Sequence, residues 1–237
     1  MNSGAAPPPP PPRPRELVAT WALAVAGIAV AARLAPLDPS GLLAANLGGV
    51  AALLFVLLPD ARIRARGETW RAYGLPWWGA ADPRTWRAWG RGALRGLAVC
   101  AVVLPAFAVL YWAWNGFPHL TPRLPSRPVL RVATQFLVIA LPEELFYRGW
   151  MQTAWARRGP ERRLLGAGVG PGFLATQALF AVGHLVTLQP WRLLTFFPGL
   201  LFGWVRARSG DVVAPVVVHA LSNLLLVTLE ACLAGPR

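Results

Sequence analysis

Apolar residues run along this chain in long, nearly unbroken stretches, without the alternation of a half-buried strand or the one-sided period of a surface helix. The stretches lie at 17–35, 42–58, 93–114, 129–155, 172–188, 191–206 and 212–233, and segments rich in Arg, Pro and Gly separate them. A run of about 18 or more apolar residues is long enough to cross the hydrocarbon of a bilayer as a helix. Lipid offers the backbone no hydrogen-bond partner, so a spanning segment must satisfy its own peptide groups. The pattern therefore predicts an all-α fold, a polytopic transmembrane helical bundle of about seven spans. The stretch at 191–206 is the shortest and carries Pro198; the first two fit a re-entrant pair as well as two crossings.

Two regions depart from the pattern. Residues 1–15 include six consecutive prolines, Pro7 to Pro12, followed by Arg13 and Arg15; polyproline has no internal hydrogen bonds and this segment has no core residues, so a disordered tail is expected. The remainder, 16–237, reads as a single membrane-embedded domain. Within it, residues 59–91 interleave Arg62, Arg64, Arg66, Arg71, Arg84, Arg87 and Arg91 with Trp70, Trp77, Trp78, Trp86 and Trp89. Arginine stems and indole rings favour the headgroup layer, which predicts an interfacial loop.

Composition narrows the class. With 237 residues, 55% hydrophobic and only 14% charged, the chain is too apolar for an ordinary soluble domain. All 23 basic residues are arginine and the net charge is +13. The absence of lysine fits GC-rich coding and carries no functional weight; the expected location of the chain is a bacterial cytoplasmic (inner) membrane. The arginines lie between apolar stretches and form no nucleic-acid-binding motif, so the partner they imply is the lipid bilayer and not nucleic acid. Sorted by alternate loops, they concentrate on the side that holds the N-terminus, which places that terminus in the cytoplasm. Cys100 and Cys232 sit in apolar runs with no metal-ligand spacing and read as small buried hydrophobes.

Chemistry is concentrated in Leu141-Pro142-Glu143-Glu144-Leu145-Phe146-Tyr147-Arg148, inside the stretch at 129–155. An ionised side chain at the bilayer centre costs about 2.5–3.5 kcal/mol even on the lenient insertion scale, which makes such a cluster a functional-site candidate. Glu144 and Arg148 are four apart, the acid-before-base order of an internal ion pair. Glu143 points about 100° away and is left for another partner. Pro142 lacks an amide hydrogen and should kink or open the helix beside the glutamates. Phe180 and His184 are one turn apart on another stretch, and His219 and Asn223 share a face of the last. Each alone has a bland reading: a packed histidine, a structural Glu–Arg pair. Proton-active groups on three separate spans are harder to assign to packing, since each needs a satisfied partner in a low dielectric.

Two chemistries use such a set. In one, Glu143 and His184 hold a water, the glutamate takes its proton, and His219 with Asn223 donates to the oxyanion of a tetrahedral intermediate. In the other, Glu143, His184 and His219 ligate zinc, which activates the water. HExxH and a second-shell carboxylate are missing, which favours the version without a cofactor. No GxSxG is present and neither cysteine lies in these motifs, which argues against a covalent nucleophile. The non-enzymatic alternative is a membrane scaffold or immunity-type binder; a proton-coupled transporter is disfavoured by the lack of an inverted repeat. The three groups meet at one depth if the last helix starts at Pro215.

The ordered motifs Glu143-Glu144 to Arg148, Phe180 to His184 and His219 to Asn223 resemble those of the CAAX-protease and bacteriocin-processing family of glutamic-type intramembrane proteases, which includes the type II prenyl-protein proteases. The resemblance covers 129–233 as catalytic core. It implies an intramembrane endopeptidase with Glu143 as principal catalytic glutamate, His184 on the water, His219 and Asn223 as oxyanion site, and Glu144 and Arg148 shaping the site or holding the peptide. The expected partner is a membrane-anchored or lipidated protein; the family does not fix the substrate, since some members cut prenylated C-termini and others bacteriocin-type or surface peptides. Composition and the short core are more similar to myxosortase-type members, which process C-terminal sorting tags.

Overall fold

The computed structural model describes residues 9–117, 119–122, 125–159 and 161–233. Each apolar stretch forms helix. Helix α1 (Pro14–Leu34) opens on proline, whose missing amide hydrogen is harmless in a first turn. A short α2 (Leu42–Ala45) leads into α3 (Leu47–Ala65), and α4 (Pro83–Trp114) starts where the Asp82 side chain accepts from the Arg84 amide. The stretch 128–156 is helical throughout but changes pitch: α5 (Pro128–Ala133), a π-helical segment (Thr134–Ala140), α6 (Leu141–Glu144), a second π-helical segment (Leu145–Gln152) and α7 (Thr153–Ala156). Then come α8 (Pro171–Gly183), α9 (Phe196–Ser209) and α10 (Val213–Leu233). Two three-residue strands, β1 (Arg162–Leu164) and β2 (Ala167–Val169), pair antiparallel between α7 and α8, a hairpin the all-helical reading did not include.

Three helices among the described residues, Pro14–Leu37, Pro83–Trp114 and Val213–Leu233, are long and apolar enough to cross a membrane. Helices α8 and α9, of 13 and 14 residues, are each about 20 Å long at 1.5 Å per residue, short of a full crossing of about 30 Å. His184 consequently stands at the end of α8, where the chain passes into a 3-10 turn (His184–Thr187), and not in mid-helix as the sequence expects.

Close helix contact is made with small residues. On α4, Gly92 and Gly96 face α10; a Cβ at Gly92 would lie 2.7 Å from Val213 Cβ, and one at Gly96 2.8 Å from the Ala214 carbonyl oxygen. Val102 and Leu110, elsewhere on α4, are exposed, as a lipid-facing surface requires. Helix α10 begins at Val213, two residues before Pro215, because Asp211 Oδ1 accepts the Ala214 amide and supplies a cap there. Its first turns, through Ala220, are buried.

The margins also differ in detail from expectation. Of the Pro-rich tail at 1–15, residues 1–8 lie outside the described residues, the Pro11 and Pro12 carbonyls accept from Arg158, and Pro14 and Arg15 already belong to α1. Helices α3 and α4 reach into the Arg/Trp region of 59–91, leaving 66–82 to link them. Glu68 ties that link down: it accepts from Tyr73 Oη at 2.5 Å, Arg66 Nε at 3.2 Å and Arg157 Nη1 at 2.7 Å. Arg157, just past α7, thereby fastens the link to the helix that carries the glutamates.

Candidate active site

Pro142 sits between the two π-helical segments. Proline cannot donate to a preceding carbonyl, and the ladder shifts register around it: the Leu141 amide donates to the Phe136 carbonyl, five residues back. The expected disturbance is thus a widening of the helix on both sides of the glutamate pair.

The two carboxylates have different surroundings. Glu144 is fully buried; its Oε1 accepts from Arg148 Nη1 at 2.9 Å and lies 2.8 Å from His219 Nδ1. Arg148, also fully buried, donates further to Gln177 Oε1 at 2.9 Å and the Gly199 carbonyl at 3.2 Å. Gln177 Nε2 donates to Gln152 Oε1 at 3.2 Å, and Gln152 Nε2 to the Gly203 carbonyl at 2.9 Å. A buried ion pair is tolerable when hydrogen bonds occupy its remaining donors and acceptors; the amides engage Arg148 Nη2 through Gln177, while Glu144 Oε2 and Arg148 Nε stay buried without a partner among the described residues. Gly199 and Gly203 let α9 approach: a Cβ at Gly203 would lie 2.5 Å from Gln177 Nε2.

Glu143 is outside that network. Its Oε2 is buried with no hydrogen-bond partner, 3.9 Å from His219 Nε2. His219 is therefore flanked by both carboxylates, one at each ring nitrogen. Its ring stacks on Phe202 (centroids 4.6 Å apart, 15° between planes) and meets Phe180 edge-on at 6.2 Å. The Arg148 guanidinium lies over Phe180 at 4.1 Å and Phe202 at 5.3 Å.

His184 also packs against Phe180, its ring 4.7 Å away and steeply tilted. Its Nδ1 is 2.8 Å from the Phe180 carbonyl oxygen. A carbonyl only accepts, so Nδ1 carries a proton, and in the neutral ring Nε2 keeps its lone pair. Among the described residues, no His184 nitrogen comes within 4.0 Å of a carboxylate oxygen. Phe180 is the shared wall through which the two histidines come into one neighbourhood. Asn223 donates from Nδ2 to Gln135 Oε1 at 3.0 Å, one turn beyond His219 on α10.

Among the described residues, no three His, Cys, Asp or Glu side chains form a group able to hold a metal ion; the set considered for zinc, Glu143, His184 and His219, is not gathered into one. Sequence reading missed the Glu144–His219 contact and the amides Gln135, Gln152 and Gln177. A signal for two of them was present: Gln152 follows Arg148 by four, and Gln177 precedes His184 by seven, so each shares a helix face with a motif residue.

Apolar helices that enclose a carboxylate–histidine site define an integral membrane protein with polar chemistry in its interior. A family model described as type II CAAX prenyl endopeptidase Rce1-like matches residues 125–225, which include every candidate site residue. Over that stretch the chain is similar to the CAAX-type prenyl endopeptidases, and the likeness supports an intramembrane protease of that type. The match does not single out the myxosortase-type subgroup. Comparison with curated proteins and comparison with solved structures each gave no match.

Proposed function

We propose that the protein is a glutamic-type intramembrane endopeptidase in which Glu143 and His184 activate a water molecule. The observation that carries this reading is the placement of Glu143: its buried Oε2 lies 3.9 Å from His219 Nε2 with no hydrogen-bond partner among the described residues, whereas the neighbouring Glu144 is engaged through Oε1 by both Arg148 and His219. Water donates one hydrogen to Glu143 and is oriented by the His184 Nε2 lone pair. As its oxygen adds to the peptide carbonyl carbon, Glu143 takes the proton. The tetrahedral oxyanion faces His219 Nε2 and Asn223 Nδ2; on collapse the C–N bond breaks and the proton passes to the leaving amine. His219 commits Nδ1–H to Glu144, so its Nε2 donates to the oxyanion only from the doubly protonated ring.

The substrate is a membrane-anchored or lipidated protein processed at its C-terminus, with a C-terminal sorting tag as the preferred class. Arginine asymmetry supports a bacterial inner-membrane location with the N-terminus in the cytoplasm. The test compares C-termini in the membrane proteome of cells with the wild-type protein, without it, and with Glu143→Ala or His184→Ala. Shortened C-termini should require the wild-type chain. Wild-type processing by a stably inserted Glu143→Ala protein overturns the assignment, and loss of purified activity on exhaustive chelation, restored by zinc, moves the site to metal-assisted hydrolysis.

A further inference from the structure

A cleft of about 990 Å³ whose lining does not include Glu143 or Glu144 is formed by Arg13, Arg15, Arg66, Arg157 and Arg158, with Glu16 the one acidic side chain on its wall among the described residues. Three helix ends meet here: the start of α1, the end of α3 and the end of α7. The Pro11 and Pro12 carbonyls accept from Arg158 Nη1 at 3.2 and 2.9 Å, holding the extended proline segment against the cleft. Glu68 engages Arg66 and Arg157. Among the described residues, Arg13, Arg15 and Arg158 have no carboxylate within ion-pair distance, Glu16 pairs with none of them, and Arg66 Nη2 is buried without a partner. The amino end of α1 also points here without a side-chain cap. Guanidinium forks gathered at a helix N-terminus, with positive charge left over, match a tetrahedral oxyanion.

We infer that this cleft is a binding site for a phosphate-bearing anion. The ends of apolar helices lie at headgroup depth, so an anionic phospholipid headgroup reaches it from the bilayer; a soluble phosphate is the other source of the same chemistry. Such a site staples the proline segment, α3 and the glutamate-bearing helix to the membrane face. It does not depend on the proposed catalytic roles.

Native mass spectrometry of the full chain in detergent, titrated with phosphatidylglycerol, phosphatidylcholine or inorganic phosphate, tests it. Phosphatidylglycerol should bind in preference to phosphatidylcholine. At about a factor of five per arginine, Arg13→Gln/Arg15→Gln/Arg158→Gln should weaken binding on the order of a hundredfold, while Arg84→Gln/Arg87→Gln/Arg91→Gln leaves it unchanged. Because Arg158 also holds the proline segment, Arg13→Gln/Arg15→Gln, which alters only exposed side chains, serves as the second variant, with a fall of roughly 25-fold. Inorganic phosphate binding as tightly, with the same arginine dependence, identifies the soluble source. Phosphatidylglycerol and phosphate bound equally by wild type and both variants overturn the site.

Discussion

His219 Nδ1 lies 2.8 Å from Glu144 Oε1, the same oxygen that receives Arg148 Nη1 at 2.9 Å. One carboxylate thus fixes both the buried cation and the imidazole, and the second glutamate of the pair is a positioning residue as well as a counter-charge. From sequence, Glu144 pairs with Arg148 and the two shape the site or hold the peptide; the link to His219 is not visible there, because helical spacing exposes the Glu144–Arg148 contact and is blind to α10.

The two glutamates should therefore respond differently to the same substitution. Glu144→Gln leaves Arg148 without a buried counter-charge, and breaking such a pair costs about 3–5 kcal/mol; the thermal unfolding midpoint should fall together with activity. Glu143→Gln replaces an oxygen that has no partner. Peptide cleavage should drop by at least about 10²–10⁴, the contribution of a general base, with the midpoint held or raised. Equal destabilisation by the two variants would contradict the division of labour.

What the sequence made legible follows from what spacing can encode. Glu143, Glu144, Arg148, His184 and His219 announce themselves because ionisable groups in apolar helices are conspicuous, and Asn223 because it follows His219 by four on the same helix face. Pro142 announces a disturbance but not its form; whether the ladder kinks or widens depends on packing from other helices. The bond from Arg157 to Glu68 joins residues far apart in sequence, and no local pattern marks it. Gln135, Gln152 and Gln177 are neutral amides that an apolar helix tolerates for many reasons, so their role emerges only when α8, α9 and α10 are brought together.

Packing at the amide network makes a stability prediction independent of the chemistry. A Cβ at Gly203 would meet Gln177 Nε2 at 2.5 Å, Phe173 Cε2 at 2.8 Å and Gln152 Oε1 at 3.0 Å, whereas at Gly49 on α3 nothing lies within 4 Å. Gly203→Ala should destabilise by about 1–3 kcal/mol through overpacking. Gly49→Ala should be neutral or slightly stabilising, by up to about 1 kcal/mol, since alanine is the better helix former. Thermal melts of the two variants in one detergent decide it; equal midpoints would mean that α9 does not rest on Gln177.

Outside the membrane segments, Tyr73 supplies a pH test. Burial, and after it the Glu68 carboxylate that its hydroxyl donates to, pushes the Tyr73 hydroxyl up from 10.0 to about 12. The folded protein thus favours the neutral phenol. Its stabilising contribution is complete below about pH 10, where the phenol is neutral in both states, and is lost as pH rises through about 12. Stability measured from pH 9 to 12 should decline more steeply for wild type than for Tyr73→Phe, which has no proton to lose.

Asn223 permits the sharpest separation of contact from positioning. If its amide faces the oxyanion, Asn223→Ala should lower kcat by about 10²–10³, as removal of one such donor does, with KM little changed. Gln135 is assigned no contact with the substrate; it accepts from Asn223 Nδ2 at 3.0 Å and fixes the amide's direction. Gln135→Ala should therefore cost less than Asn223→Ala, and nothing further when Asn223 is already alanine, because both changes remove the same oriented donor. Additive losses in that cycle would show that Gln135 acts on the reaction by another route, and an unchanged kcat in Asn223→Ala would remove the residue from the oxyanion site altogether.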